Sequence, residues 1–319
     1  MIERSERAGP ALVDVRMHLA RPDRPVVARV VENRRCTASA KAAAFVRHIT
    51  FDLSGTVLEG QFVAGQSFGV LPPGLDDKGK PHKLRLYSLA SPTVGEDGQG
   101  RIVATTVKRN IVEDPVSNKL HLGVASNFLC DSQPGDEVRL TGPNGKRFVL
   151  PADPGAHDYF FIATGTGIAP FRGMLLDLLA AEVPSRITLI TGVAYASDLL
   201  YHDELVSHAL KHPNFTYLTA ISRERQPDGA PPMYVQDRLG REIDRLGEIL
   251  ASDRSLIYIC GVAGMELGIF QRLTDVLDTE ARQGFLEIDP EVAQNTATWD
   301  RWMIHKQVRP TRRVFLEVY

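Results

Sequence analysis

The chain has 319 residues, of which 43% are hydrophobic and 24% are charged. This length is about twice that of a typical domain of ~150 residues, and the composition excludes a disordered chain or a collagen-like fibre. Lys and Arg number 37 against 39 Asp and Glu, so the net charge of −2 argues against a general nucleic-acid-binding protein. The two ends, residues 1–50 and 301–319, are nevertheless rich in basic side chains.

Three cysteines occur, Cys36, Cys130 and Cys260, and no C-x-x-C spacing is present. Their number and spacing argue against a disulfide framework and against an iron–sulfur or zinc site. No run of about 18 apolar residues occurs, and acids and arginines interrupt the start of the chain where a signal peptide needs an apolar stretch. We therefore predict a cytoplasmic protein that does not insert into membranes and holds no metal.

From about residue 25 to 150 the apolar runs are short, and turn residues separate them, as in VVARVV, GRIVATTVK and QPGDEVRLTGPNG. Short strands with glycine and proline between them are typical of a sandwich or a small barrel. We predict an antiparallel β-barrel domain over residues 1–152, with residues 1–20 loosely ordered.

After this domain the apolar strands are continuous and alternate with helices. Strands are predicted at 159–163, 187–193, 215–222, 255–260 and 314–318, with helices near 199–211 and 263–282. This alternation indicates a parallel sheet that is covered on both faces. The boundary falls in the proline-containing stretch 151–158, so residues 153–319 are predicted to form a Rossmann-like α/β domain.

The sequence TGTGIAP at residues 164–170 follows an apolar strand and opens a helix. Backbone N–H groups and the positive end of a helix dipole can hold a phosphate at such a turn, which favours a dinucleotide site. Pro170 stands where a third glycine is expected, and a tight turn of purely steric origin is the alternative.

Chemically active residues follow three of the predicted strands. Ligands of α/β sheets lie beyond the carboxyl ends of the strands. Ser222 and Arg223 form a candidate anion-binding pair there, with Tyr234 as a candidate adenine-stacking ring; a solvated loop is the alternative. Cys260 and Glu317 end two other strands. For Cys260 the alternative is a buried structural role, which is more common for a free cysteine.

In the stretch KLRLYS, strand alternation places Arg85 and Tyr87 on one face and Leu84 and Leu86 on the other. A guanidinium and an aromatic ring on one surface suit a planar cofactor that carries phosphates. An exposed face with mixed residues is the alternative. The same alternation points Ser88 away from Tyr87, so a role for its hydroxyl requires a twist or a strand end.

The motifs RLYS, TGTGIAPFR, CGVAGME and the terminal LEVY occur in this order across both predicted domains. With GKPHKLRLYSLAS, SNFLCD, PGDEVRLTGPNGK, SRE and MYVQ, they extend from near residue 18 to the last residue. In these motifs the sequence resembles the plant-type ferredoxin–NADP(+) reductases. The resemblance implies an FAD-binding barrel followed by an NADP-binding domain, and electron transfer between NADP(H) and ferredoxin.

The resemblance also implies positions for the cofactors. FAD is expected at Arg85, Leu86, Tyr87, Ser88, Thr106, Val107, Lys108, Gly123, Val124, Ala125, Ser126 and Tyr319. NADP(H) is expected at Thr166, Val193, Ala194, Ser222, Arg223, Tyr234, Gln236, Gly261 and Val262, with Lys108 close to its phosphates. The implied catalytic residues are Ser88, Cys260, Glu317 and Tyr319, with Tyr319 covering the flavin until nicotinamide displaces it.

Three positions depart from the family pattern. Thr106 stands where the family often has Cys, Val112 where plant members have an adenine-stacking Tyr, and Pro232 where they have a Lys near the 2′-phosphate. Residues 289–313 are longer than the family's approach to its last strand, and a cover for FAD, a docking site and a solvated connection are three hypotheses for them.

The expected partner is an acidic ferredoxin, steered by the basic ends and by Lys78, Lys80 and Lys83. A monomer is the favoured state. The reductase component of an oxygenase system is a second hypothesis, and a non-enzymatic flavin or nucleotide sensor is a third. The presence of Cys260, Glu317 and Tyr319 argues against the sensor.

Overall fold

A computed structural model of the chain describes residues 9–319. The elements of the first domain are β1 (Val26–Arg35), β2 (Val46–Asp52), β3 (Ser67–Leu71), β4 (Arg85–Ser88), β5 (Ile102–Lys108), β6 (Ile111–Glu113), β7 (Leu120–Leu122), α1 (Val124–Asp131) and β8 (Glu137–Asn144). Six of these strands form one antiparallel sheet in the order β4-β3-β8-β1-β2-β5, and β6 pairs with β7 as a separate ribbon.

The six-stranded sheet curls into a barrel-like shape because its inward side chains share one apolar core. Phe51, Phe68 and Leu140 are buried in this core. The two edge strands, β4 and β5, meet at the end of β4, where Thr105 Oγ1 donates to Ser88 O, Leu89 bridges Thr105 and Ala90 N donates to Ala104 O. The predicted antiparallel barrel is therefore confirmed as a barrel-like sheet that is not fully closed.

Part of the amino-terminal segment is hydrogen-bonded to the barrel. Val13 N donates to Leu150 O, and His18 N donates to Pro143 O at 2.9 Å. The structure thus shows residues 9–20 tied to the barrel, although we expected loose order over 1–20; residues 1–8 lie outside the described part of the chain.

The second domain follows a turn of 3₁₀ helix at Pro154–Ala156. Its strands are β9 (Asp158–Thr164), β10 (Ile187–Val193), β11 (Phe215–Ile221), β12 (Ser255–Gly261), β13 (Leu286–Ile288), β14 (Val308–Pro310) and β15 (Val314–Val318). Its helices are α2 (Ile168–Ala180), α3 (His202–Lys211), α4 (Val235–Arg241), α5 (Ile243–Ala251), α6 (Met265–Val276) and α7 (Thr279–Gln283). Within residues 9–319, every helix is too short or too polar to cross a membrane.

Five strands of this domain form a parallel sheet in the order β11-β10-β9-β12-β15. The central strand β9 is apolar on both faces, with Tyr159 and Phe161 in one core and Phe160 and Ile162 in the other. Both faces are buried because helices cover each side, which explains the continuous apolar run in the sequence. The predicted helix near 263–282 is two helices, α6 and α7.

The domains meet around the buried guanidinium of Arg172 on α2. Its Nη1 donates to Glu96 Oε1 at 2.6 Å and to Ala90 O at 2.9 Å, both in the first domain. Its Nε donates to Glu204 of α3 at 2.9 Å, and it lies 5.1 Å from the ring centre of Tyr201. A buried charge with two carboxylate partners at the boundary joins the two domains at this point.

Residues 289–313, the long approach to β15, pack on α6. Trp299 is buried in the core beside α6, and its Nε1 donates to Val292 O at 2.8 Å. Gln271 of α6 donates to Thr296 O, also at 2.8 Å. Strand β13 directly precedes the segment and pairs antiparallel with β14, which lies within it. The segment is therefore partly core, and it lies on the second domain rather than over the barrel.

Candidate active site

Two cavities lie side by side at the domain boundary, with volumes of about 940 and 640 Å³. The first is lined mainly by the barrel and the second by the carboxyl ends of the parallel strands. Lys108, Thr166 and Tyr319 line both cavities. Two adjoining sites that share a wall can hold two ligands in contact.

Strand β4 supplies one wall of the first cavity. Arg85, Leu86, Tyr87 and Ser88 all line it, because the strand ends at Ser88 and the chain turns there. Arg85 is exposed, and its Nη1 donates to the carbonyl of Leu84 at 3.1 Å, which leaves further N–H donors for an anion. Burial raises the pKa of Tyr87 to about 12, so its hydroxyl is neutral.

The start of helix α1 forms a second wall, with Gly123, Val124, Ala125 and Ser126 lining the cavity. Ser126 Oγ donates to Gly123 O at 3.1 Å and accepts from Asn110 N at 3.2 Å. A Cβ at position 123 would lie 2.7 Å from Ser126 Oγ, so this close turn requires glycine. Unpaired N–H groups of the first turn are suited to a phosphate.

Strand β5 presents Thr106 and Lys108 to the first cavity, whereas Val107 points into the barrel core. The alternation of strand side chains explains this division, which leaves only the backbone of Val107 for a ligand. Thr106 Oγ1 lies 2.5 Å from Tyr201 OH of the other domain, and Tyr201 OH lies 3.0 Å from His48 Nδ1. Burial lowers the pKa of His48 to about 2, so its imidazole is neutral.

The turn between β9 and α2 lies between the two cavities. Gly165 adopts φ of +51° with open space where a Cβ would be. Gly167 packs so closely on β12 that a Cβ would stand 2.1 Å from Cys260 O. Thr166 projects between them, and its Oγ1 lies 2.6 Å from Tyr319 OH. The two glycines thus place backbone N–H groups and one hydroxyl at the boundary of the cavities.

The ends of β10 and β11 and the start of α4 line the second cavity. Val193, Ala194, Ser222, Tyr234 and Gln236 all contribute to it. Backbone bonds hold the strand ends together, from Ser222 N to Val193 O and from Arg223 N to Ala194 O, each at 3.0 Å. The Arg223 side chain is exposed and does not line the cavity.

Strand β12 ends behind the second cavity. Cys260 is buried and Gly261 has φ of +144°, with its Cα facing Thr164; neither lines a cavity, although Val262 does. Cys260 pairs with Glu317 across the β12–β15 ladder. Burial raises the pKa of the Cys260 thiol well above its usual value, so the thiol is protonated.

The other two cysteines are buried as well. Burial raises the pKa of Cys36 to about 12 and that of Cys130 to about 11. All three thiols are therefore poor nucleophiles in the folded chain.

The last strand brings Glu317 and Tyr319 to the boundary. Ser88 Oγ of the barrel donates to Glu317 Oε2 at 3.5 Å. Desolvation raises the pKa of Glu317 to about 7, so this carboxyl can exchange a proton near neutral pH. Tyr319 is 64% exposed and lies over both cavities, with its backbone N donating to Gly261 O at 3.0 Å.

The sequence motifs missed several residues of the two walls. Asp76 and Asn110 line the first cavity; Ala44, Val46 and Asp198 line the second. Most of them lie far from the motifs in the sequence, where no spacing marks them, although Asn110 closely follows Lys108 of β5. His82, Lys83 and Met233 also line the cavities, and they lie within the motifs but were assigned no cofactor contact.

The residues present match a flavin dinucleotide in the first cavity and a nicotinamide dinucleotide in the second. The first combines an aromatic ring, a guanidinium and the start of a helix, which are the groups that a ring system with a diphosphate requires. The second combines a glycine turn with strand-end hydroxyls. Fold and site together define a two-domain nucleotide-dependent oxidoreductase.

Comparison with known proteins agrees with this class. The family of oxidoreductase NAD-binding domains matches residues 161–270. A ferredoxin–NADP reductase of Thermosynechococcus vestitus is 40% identical over 82% of this chain and 68% of its own. The cyanelle ferredoxin–NADP reductase of Cyanophora paradoxa is 36% identical over 96% of this chain and 80% of its own. The chain belongs to the plant-type ferredoxin–NADP(+) reductase family.

Solved structures show the same fold. A ferredoxin–NADP+ reductase from Plasmodium falciparum superposes with a TM-score of 0.69 over 94% of this chain and 98% of its own, at 22% identity. The same enzyme with 2′P-AMP superposes with a TM-score of 0.67 over 95% of this chain and 99% of its own, at 23% identity.

Proposed function

We propose that the protein is an FAD-dependent ferredoxin–NADP(+) oxidoreductase. The observation that carries this proposal is the junction of two cavities at Tyr319, with Glu317 and Ser88 beside it. Bound FAD supplies the conversion between a hydride and two single electrons. The chain's own contribution is to hold two nucleotides in contact and to handle a proton between them.

In this proposal the first cavity holds FAD. Arg85 and the first turn of α1 would bind the diphosphate, and Tyr87 would contact the ring system. Ser88, Thr106, Lys108 and Tyr319 would hold the flavin end, with Leu86 on the cavity wall and the backbone of Val107 available to the ligand. Because Val112 is exposed on the β6–β7 ribbon and carries no ring, the adenine has no stacking partner at that position.

The second cavity holds NADP(H). The turn at Thr166 binds its pyrophosphate, with Val193 and Ala194 on the adjoining strand end. Ser222, Tyr234 and Gln236 would bind the phosphate-bearing adenosine end from the cavity wall, and Arg223, exposed beside Ser222, would reach it from outside the wall. Val262 would lie at the nicotinamide end, with Gly261 behind it. The complex of the Plasmodium falciparum enzyme with 2′P-AMP supports a ligand of this kind in the same fold.

The reacting end lies where the two ligands meet. Glu317 Oε2 and Ser88 Oγ, 3.5 Å apart, hold and pass a proton at the flavin edge. Cys260 supports the nicotinamide side from behind, since its side chain is buried under the strand end. Tyr319 is exposed and covers both cavities, so displacement of its ring admits nicotinamide without a change in the core.

An absorption spectrum of the purified holoprotein followed by anaerobic titration with NADPH tests the assignment. We expect a flavin spectrum that NADPH bleaches and that oxidised ferredoxin restores, because it accepts the electrons one at a time. A colourless protein that does not take up FAD contradicts the proposal. A flavin that NADPH does not bleach favours a sensor, and turnover with an oxygenase component but not with ferredoxin favours the oxygenase reductase.

The choice of coenzyme depends on Arg223 in this proposal. Arg223→Ala should weaken NADPH binding at least tenfold and NADH binding by less than twofold, because only NADPH presents the extra phosphate. Arg225→Ala is the matched control, since Arg225 is exposed in the same loop and donates to Gly229 O. Equal losses with both coenzymes contradict the clamp.

Ferredoxin docks, in this proposal, at the barrel face that carries Lys78, Lys80 and Lys83. Lys83 lines the first cavity, so a carrier bound there lies close to the flavin. Ferredoxin-dependent cytochrome reduction should slow steeply with added salt, while NADPH-dependent flavin reduction changes little. A salt-independent rate contradicts this docking surface. A cytoplasmic location and a monomeric state stay predictions.

A further inference from the structure

Arg301, in the long segment before β15, forms an ion pair with Glu266 on the first turn of α6. Arg301 Nε lies 3.1 Å from Glu266 Oε1. The glutamate side chain is 4% exposed, whereas that of Arg301 is 55% exposed. A carboxylate buried to this degree needs a positively charged partner, and Arg301 supplies it from the segment before β15.

The second oxygen of the same carboxylate holds the coenzyme loop, residues 261–265. Glu266 Oε2 accepts from Gly264 N at 2.7 Å. Gly264 has φ of +103°, a left-handed conformation that strains any other residue. The loop therefore depends on a glycine at this position. Val262, Ala263, Gly264 and Met265 all line the second cavity.

The coenzyme loop also fixes the backbone of Tyr319. Ala263 N donates to Tyr319 O, and Tyr319 N donates to Gly261 O, both at 3.0 Å. A continuous set of bonds therefore runs from Arg301 through Glu266 and the coenzyme loop to the carboxyl-terminal residue. The links are the Arg301–Glu266 ion pair, the hydrogen bonds donated by Gly264 N and by Ala263 N, and the peptide backbone between these two residues.

We propose that Arg301 is a positioning residue for coenzyme binding, which acts by pairing with Glu266 and so fixing the coenzyme loop. The proposal rests on the proposed function, because it assigns NADP(H) to the second cavity. It gives residues 289–313 a role beyond packing on α6. Loss of Arg301 leaves the buried Glu266 carboxylate without its cation. We expect the coenzyme loop to shift so that water can reach this carboxylate.

The test compares Arg301→Gln with Arg309→Gln in the FAD-loaded protein. Arg309 belongs to the same segment but pairs with Glu287 and Asp289 on the β13–β14 pair, away from the coenzyme loop. We expect Arg301→Gln to raise the Kd for NADP+, measured by flavin difference absorbance, about five- to tenfold. Arg309→Gln should stay within twofold of the wild type, and Arg301→Lys should recover most of the loss.

Steady-state kinetics and a double variant separate positioning from simple destabilisation. The KM for NADPH should rise in Arg301→Gln while kcat at saturating NADPH stays within about twofold. Glu266→Gln combined with Arg301→Gln should lose no more affinity than Arg301→Gln alone, because both act through one contact. A lower Tm with unchanged NADP+ affinity overturns the proposal, as does an equal loss in Arg309→Gln. Failure of the wild type to bind NADP+ contradicts the proposed function instead.

Discussion

Two of the contacts between the domains differ in construction. Around Arg172, one buried guanidinium bonds Glu96 of the barrel and Glu204 of its own domain, and Tyr201 reaches Thr106 nearby. At the carboxyl terminus, Glu317 meets Ser88 through one hydrogen bond of 3.5 Å. The first contact has several hydrogen bonds around a buried guanidinium, whereas the second has one and adjoins both cavities.

The two contacts between the domains serve different purposes. The Arg172 contact helps to hold the domains together, because removal of its guanidinium leaves Glu96 and Glu204 without their ion pairs. The carboxyl-terminal contact can yield locally, since Tyr319 is exposed and its ring has one hydrogen bond, to Thr166. A ligand can therefore displace the last residue while the domain arrangement stays fixed.

Removal of Arg172 should have the largest effect on the free energy of unfolding. Arg172→Leu leaves Glu96 and Glu204 facing each other without a cation, and we expect a loss of about 3–5 kcal/mol in urea unfolding. Arg309→Leu is the matched control: Arg309 also has two carboxylate partners, but it is partly exposed, and we expect a loss of about 1 kcal/mol or less. Similar losses in both variants would remove the distinction between the contacts.

Glu317→Gln probes the carboxyl-terminal contact through pH. The folded-state pKa of about 7 lies above the model value of 4.5, so the native chain binds the extra proton between these values. Wild-type stability should therefore fall relative to Glu317→Gln as pH rises from about 4.5 to 7, by up to about 3 kcal/mol.

His48 contributes to the free energy of unfolding with the opposite dependence on pH. This contribution is the same in the wild type and in Glu317→Gln, so it cancels when the two proteins are compared. Burial depresses the pKa of His48, so its contribution to stability is lost as pH falls below its usual value. Glu291→Gln, at an exposed position, is the matched control and should show no such pH-dependent difference. A flat difference for Glu317→Gln would mean that its carboxyl is not desolvated.

Tyr319→Ser should have the smallest effect on stability. Because the ring is mostly exposed, we expect a change within about 0.5 kcal/mol in the free energy of unfolding. Binding of nicotinamide coenzymes should nevertheless strengthen, and NADH use should improve, since the ring no longer competes. Tyr319→Phe, which keeps the ring and removes only its hydrogen bond to Thr166, should give a smaller gain. Unchanged coenzyme affinity in Tyr319→Ser contradicts the displacement.

The sequence predicted the parallel sheet well because its strands are buried on both faces. The strands at 187–193 and 314–318 agree with β10 and β15, and the glycine turn joins β9 to α2 as expected. Motif spacing could not tell that Val107 points into the barrel or that Cys260 lies behind the cavity wall. Both facts depend on which face of a strand is covered, which the neighbouring strands decide.

Contacts between residues that are far apart in the chain could not be predicted, because they leave no pattern in the sequence. Arg301 and Glu266 are 35 positions apart, and Thr106 and Tyr201 are 95 apart. Helices α4 and α5 also went unpredicted, because proline and glycine precede them and charged residues interrupt their apolar positions. The position of a chemical group in the chain was therefore easier to predict than its orientation or its partner.

The burial of all three thiols makes them internal reporters of opening. Cys36 lies beside Tyr201 at the Arg172 contact, and Cys260 lies on β12 beside Glu317 of the carboxyl-terminal strand. An alkylating reagent has no path to either sulfur while the chain is closed, so the rate at which each is modified records how often its own surroundings come apart. The modification rates of Cys36 and Cys260 therefore report separately on local opening at the two contacts.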